Sequence, residues 1–208
     1  MFNFINTKIP KARLRRVDHK HFYETPKGSL YPSVTTMLKA TEDEEKTKSL
    51  AEFNERVEAK YIMIQAMLMG NQTHKLIENY LQDIASPRDA YRLLSIAHFQ
   101  NLKPFLDAKV NNIRGVELKM WSDKLKLGGM SDCIAEYDGV LSIIDYKTKR
   151  SNQKKEWLTD YFIQATAYSI MFEELTGIPV PQAVILVSSE KNQQEAFIVP
   201  TADYSSTT

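Results

Sequence analysis

One dipeptide restricts this chain more than any other feature: Asp138-Gly139, set between two alternating apolar stretches at residues 125–137 and 140–150. Asp-Gly tolerates the positive φ that both central positions of a type I′ hairpin turn require. The two stretches therefore read as antiparallel strands in which Tyr137 faces Val140. Counting outward from that pair puts Asp132 directly across from Asp145. Side chains alternate along a strand, so Lys147 shares the face of Asp145.

Two carboxylates about 5 Å apart across a hairpin repel each other. Beside Ile134, Ile143 and Ile144 they also lose hydration, which demands a compensating charge. A divalent cation between them supplies that charge, and hard oxygen donors suit Mg2+ or Mn2+. Lys147 then points at whatever anion the cation holds, a geometry for polarising a phosphodiester. An Asp-x-Lys on a strand is common on solvated edges; the register with Asp132 lifts Asp145-Tyr146-Lys147 above that background.

With 208 residues, 43% of them hydrophobic, the sequence is expected to form one domain with a sizeable core. The single cysteine, Cys133, excludes structural disulfides and a Cys-ligated zinc or iron–sulfur site within one chain. That suits a reducing, intracellular compartment. No apolar run has the length of a membrane span, and no signal-peptide core is present. Net charge is only +1, so no global basic field advertises nucleic acid. Locally, Lys8, Lys11, Arg13, Arg15, Arg16 and Lys20 cluster near the start, and Lys147, Lys149, Arg150, Lys154 and Lys155 cluster after the hairpin. Such patches either follow a phosphate backbone or are solvated faces. An arginine-bearing start with no acid before Asp18 also fits a transit peptide, but Pro10 and the lack of a serine-rich stretch disfavour it. A cytoplasmic location, that of a host cell if the source is a virus, is expected over a mitochondrial one.

Taken in order, residues 1–30 read as polar, basic and irregular, with Phe22-Tyr23 and a turn at Pro26-Lys27-Gly28. Ser33, after Pro32, is a fair N-cap for a helix from Val34. Hydroxyls at such a start can also hold a phosphate, which keeps Ser33 and Thr35 as binding candidates. Residues 42–85 are helical throughout, with Leu50, Phe53, Val57, Tyr61, Ile64, Met67 and Leu68 at three- and four-residue spacing and a kink or break at Gly70. His74 and Glu78 lie one turn apart. Ser86-Pro87 reads as the start of another helix, kinked or ended by Pro104. Residues 113–122 read as a strand. Gly128-Gly129 marks a bulge or a close backbone approach. Residues 156–176 form a helix ended by Gly177 and carry Gln164 and Tyr168 one turn apart. Strands follow at 180–188 and 195–199, and no further helix is expected after them. The pattern is α/β: a mixed central sheet with helices on both faces.

These motifs, in this order, resemble the PD-(D/E)XK nuclease superfamily and in particular its RecB-like exonuclease branch. The match consists of Gly70 and His74 on a helix, Gly129-Met130-Ser131-Asp132, Asp145-Tyr146-Lys147, then Gln164 and Tyr168 on the next helix. The strings GGMSDCIAEYDG, IIDYKT and YPSVTTML are most similar to the genome-maintenance exonucleases of mitochondria and their phage relatives. The resemblance implies a restriction-endonuclease-like αβββαβ-type core over residues 113–200, behind a basic N-terminal segment and helical region at 1–112. It implies that His74, Asp132, Asp145 and the carbonyl of Tyr146 hold one or two Mg2+ or Mn2+ ions, with Lys147 at the scissile phosphate. Gln164 and Tyr168 would contact DNA or support the site, with Thr148 and Lys149 as phosphate contacts. Glu117 is a further candidate for a water or a second ion, or a surface acid; Glu78 is another. The iron–sulfur subgroup needs four cysteines and does not fit. The activity implied is a metal-dependent DNA exonuclease favouring single strands or flaps, in replication, repair or recombination. Phe22, Tyr23 and Trp157 are candidates for stacking on bases. The alternatives are an endonuclease of the same fold and a non-catalytic DNA-binding accessory protein.

Overall fold

The computed structural model describes residues 1–18, 20–40, 57–150, 158–191 and 193–205. The expected hairpin organises it. Strand β5 (Leu127–Tyr137) turns at Asp138, φ 52°, and Gly139, φ 79°, into β6 (Val140–Lys149). Tyr137 pairs with Val140, and the ladder runs to Cys133 opposite Ile144. Among the described residues β5 and β6 belong to a five-stranded sheet, order β4-β5-β6-β7-β8. Its other strands are β4 (Val110–Ser122), β7 (Gln182–Ser189) and β8 (Gln194–Pro200). Only the β6–β7 pair is parallel, as a helical crossover between them requires. That crossover is helix α4 (Thr159–Thr176), which stops where Gly177 turns left-handed at φ 74° and donates its N–H to the Glu173 carbonyl. Residues 156 and 157, expected to open it, lie outside the described residues.

Helix α1 (Val34–Ala40), α2 (Val57–Leu81) and α3 (Leu93–Lys109) precede the sheet. Leu102 and Leu106 from α3, with Ile77 and Leu81 from α2, bury one face against Cys133, Ile144, Val184 and Leu186. Phe162, Met171 and Phe172 from α4 bury the other against Ile134, Ile143 and Ile185. Ile143 and Ile144 thus point to opposite cores, and β6 and β7 read as nearly continuous apolar runs because both faces are covered. The family fold expected from the motifs is the one observed: a mixed sheet flanked by helices. No described helix is long and apolar enough to cross a membrane.

Several local expectations are corrected. The start is not irregular: β1 (Arg13–Val17), β2 (Lys20–Glu24) and β3 (Leu30–Pro32) form a second, antiparallel sheet. All five residues of β1 are exposed, so no apolar alternation announces it. This small sheet docks through Tyr23, buried against Gly128. Gly70 neither breaks nor ends α2, which runs through it. A Cβ there would meet Thr148 Oγ1 at 3.5 Å, so the glycine sits where the helix passes close over the end of β6. Tyr61, Ile64 and Met67, whose spacing suggested a core face, are exposed; Leu50 and Phe53 lie outside the described residues. Ser86-Pro87 opens only a 3-10 turn, Arg88–Ala90, and α3 begins afresh at Leu93. Ser86 Oγ accepts from Asn79 Nδ2 instead of capping. Pro104 lies inside α3 without ending it. A 3-10 turn at Thr201–Tyr204 follows β8, where nothing helical was expected.

Candidate active site

The site grows from an interruption in the sheet. Val116 pairs with Cys133 and Leu118 with Ser131, but the pair between them, Glu117 and Asp132, is missing from the ladder. Glu117 has φ 50°, a left-handed backbone that a glutamate rarely adopts. The inversion turns β4 over. Leu118 and Met120 pack into the core under α4, whereas Val116 packs toward α2 and α3. Strain of this kind persists only where the surroundings impose it. Gly115 makes it feasible, since a Cβ there would lie 2.9 Å from Leu118 Cδ2.

Asp132 occupies the same gap on β5. The β5–β6 ladder stops one pair short of it, so Asp132 and Asp145 are neighbours in register without backbone pairing. Asp132 Oδ2 instead accepts from the Tyr146 N–H at 3.0 Å. Glu117, Asp132 and Asp145 thus sit in one row across three adjacent strands.

Two cations answer these three acids. His74, from α2, places Nδ1 3.4 Å from Asp132 Oδ2 and donates from Nε2 to the Tyr146 carbonyl at 2.8 Å. Burial works against charging His74, but Asp132 outweighs it and raises the imidazole to about 9. Burial likewise pushes Asp132 upward, and the charged His74 beside it brings the carboxyl below its ordinary range. Lys147 Nζ straddles Asp145, 2.9 Å from Oδ1 and 2.7 Å from Oδ2, with side chains 20% and 7% exposed. Burial with Asp132 nearby still holds Asp145 above its ordinary value, against the pull of Lys147.

Among the described residues Glu117 has no such partner. Burial first, then Asp132, lifts its carboxyl to about 7. One donor atom each from His74, Glu117 and Asp132 lies within 4.8 Å of the others. Imidazole nitrogen and carboxylate oxygen match a divalent cation of intermediate hardness. The elevated Glu117 is what a site short of positive charge looks like, so the residues fit the metal that the motifs implied. Asp145 faces the lysine rather than joining that trio, and the Tyr146 carbonyl is engaged by His74. Glu78 pairs with Lys75 at 2.8 Å and stays outside the cluster.

The remaining candidates lie around this centre. Gln164 Nε2 donates to Tyr168 OH at 2.8 Å. Tyr168 is buried against Gly129, where a Cβ would come within 2.3 Å of its Cε1, so it braces β5 from below. The close approach expected at Gly128-Gly129 is therefore real on both residues. Burial pushes the Tyr168 hydroxyl far up, leaving it neutral where it accepts from Gln164. Ser33 caps α1 by accepting from the Thr36 N–H at 3.0 Å, and a parallel bridge ties it to Gly128. Thr35 is exposed beside it. Thr148 and Lys149 continue β6 beyond Lys147. Of the candidate stacking aromatics, Tyr23 is buried and Trp157 lies outside the described residues.

Glu117 is a candidate from the sequence, open between an ion or water ligand and a surface acid; Tyr161 is not singled out there. The position of Glu117 was legible in principle: the turn that pairs Ser122 with Leu127 carries the register back to Glu117 opposite Asp132. Tyr161 lies one turn before Gln164 on α4, and its hydroxyl accepts from Lys149 Nζ at 2.6 Å.

The family profile of the PD-(D/E)XK nuclease superfamily matches residues 19–205. Mitochondrial genome maintenance exonuclease 1 of Homo sapiens is 28% identical over 152 residues, 67% of this chain and 43% of that protein. The Mus musculus protein of the same name is 28% identical over 125 residues, 56% of this chain and 36% of that protein. The chain thus spans less than half the length of the curated relatives it matches. The crystal structure of SSO0001 aligns over 66% of this chain and 68% of its own at 13% identity and a TM-score of 0.31, too loose an overlap to carry an argument.

Proposed function

This chain belongs to the PD-(D/E)XK nuclease superfamily, and from that premise we propose that it is a divalent-metal-dependent deoxyribonuclease that hydrolyses phosphodiesters from the end of a DNA strand. The observation that supports it is the row Glu117, Asp132 and Asp145, gathered by a broken ladder and met by His74 and Lys147. His74, Glu117 and Asp132, with Asp145 alongside, are the residues that would hold Mg2+ or Mn2+. The chemistry such a cation supplies is Lewis-acid charge at the phosphate and a more acidic attacking water.

The chain's own groups do the rest. Lys147 presents a fixed ammonium to a phosphate oxygen, where negative charge grows during in-line displacement. Asp145 aims that ammonium through both of its oxygens. Asp132 locks the start of the Asp-x-Lys segment by accepting from Tyr146 N–H, and His74 locks the carbonyl of the same residue. Thr148 and Lys149 continue the strand toward the neighbouring phosphates. No covalent enzyme intermediate is required.

Exonuclease action is part of the proposal because both curated relatives bear that name. Preference for unpaired DNA is supported by a groove where exposed Tyr61 and Ile62 adjoin Arg92 and Arg150, with Glu190 as its one acid among the described residues: apolar faces for bases beside an excess of cations for phosphates. The test uses end-labelled linear and circular single-stranded DNA with Mg2+, with Mn2+ and with chelator. Metal-dependent loss of the linear strand alone is expected, and it disappears in Lys147→Ala. Cleavage of the circle would replace the reading with an endonuclease, and binding without cutting would replace it with an accessory protein.

A further inference from the structure

We infer that Tyr161 is a positioning residue for the two lysines of β6, its ring face holding the Lys147 ammonium and its hydroxyl holding that of Lys149. The inference rests on the proposed function only in taking Lys147 as the lysine that meets the phosphate.

Lys147 and Lys149 are two residues apart on one strand, so both stems leave the same face and their charges repel. Tyr161, in the first turn of α4, stands against both. Lys147 Nζ lies 4.5 Å from the ring centroid and Lys149 Nζ 4.9 Å. The face of an aromatic ring is electronegative and attracts a cation at such distances. Lys149 also donates to the hydroxyl at 2.6 Å, which draws it to one end of the ring. Tyr161 itself is fixed by packing against the core under α4. On its other side Lys147 is gripped by Asp145, but Asp145 is also a candidate metal ligand, so its hold on the ammonium competes with a second duty. The ring has no such competing duty. A lysine on a four-carbon stem is otherwise a poorly aimed charge, and here ring and carboxylate clamp it from two directions.

The test compares Tyr161→Phe, which keeps the ring, with Tyr161→Leu, which keeps much of the apolar volume without it. The expected result is a kcat about ten-fold lower in the leucine than in the phenylalanine variant. The phenylalanine variant should instead raise KM, because Lys149 loses its anchor, and its KM effect should not add to that of Lys149→Ala. Equal kcat in the two variants would overturn the role of the ring, and full additivity with Lys149→Ala would overturn that of the hydroxyl. A second readout needs no activity. In wild-type protein with chelator, the ε-methylene protons of Lys147 and Lys149 should show upfield ring-current shifts by NMR, and Tyr161→Leu should abolish them. Unshifted resonances in the wild type sink the inference even if the enzyme cuts DNA. Shifted resonances in a protein that fails to cut leave the clamp standing and reject the nuclease reading.

Discussion

Replacing Glu117 with Gln should stabilise the metal-free protein and weaken its response to metal. Burial and Asp132 raise this carboxyl from 4.5 to about 7. At 1.36 kcal/mol per pKa unit, that change is worth about 3 kcal/mol in a dry site. Glu117 is partly exposed, so solvent screening reduces it to about 1–2 kcal/mol. The folded protein keeps the Glu117 proton between pH 4.5 and 7 while the unfolded chain loses it. Stability therefore falls as pH rises through that window and stays lower above it. Glu117→Gln removes the dependence. In chelator at pH 8 the variant should melt roughly 2–8 °C above wild type, and at pH 4.5 the two should coincide. Added Mg2+ or Mn2+ reverses the ranking. Wild type gains about 2.7 kcal/mol at a cation concentration 100 times the dissociation constant, whereas the variant, one carboxylate short, gains less. Differential scanning calorimetry at both pH values, with and without metal, reads all four conditions. A variant that melts below wild type in chelator at pH 8 would refute the repulsion, and an undiminished metal shift would refute Glu117 as a ligand.

Lys147→Ala should leave the Asp145 carboxylate, 7% exposed, without its partner; about 3 kcal/mol should be lost in urea denaturation under chelator, alongside the loss of turnover. Gly129→Ala places a Cβ 2.3 Å from Tyr168 Cε1. It should cost about 1–3 kcal/mol by thermal melting, because the ring is buried and tied to Gln164. His74 stands at about 9 because Asp132 outweighs burial. Its pairing stabilises the metal-free fold fully below pH 6.5 and is lost as pH rises through about 9. A histidine ligand must be neutral, so metal affinity should climb over the same range with release of about one proton per ion. Calorimetry at pH 7.5 in buffers of different ionisation heat measures that release, and a value of zero would remove His74 from the ligand set.

Much of the site could be read from the chain because it rests on local rules. A two-residue Asp-Gly turn and strict alternation put Asp132 beside Asp145 and Lys147 on the same face, and the structure reproduces the turn, the ladder and the Lys147–Asp145 contact. Gly177 ends α4 for the same local reason, a left-handed φ. Of the two outcomes expected at Pro104 and at Gly70, an end of the helix is the one that does not occur, since the other residues of these helices bury enough apolar surface to offset the local cost.

Sequence by itself determined the central hairpin, its register, the members of the candidate row on β5 and β6, and the order of the main helices and strands from Val34 onward. Tertiary structure alone decided three things. It made the exposed strand Arg13–Val17 part of a sheet, where no hydrophobic pattern existed to read. It brought Tyr161 over two lysines of a distant strand. It turned Glu117 left-handed, so that its carboxyl faces Asp132 and His74 instead of following the alternation of its strand. Local sterics dictate turns and periods residue by residue, but a strained backbone is selected only by the contacts that surround it.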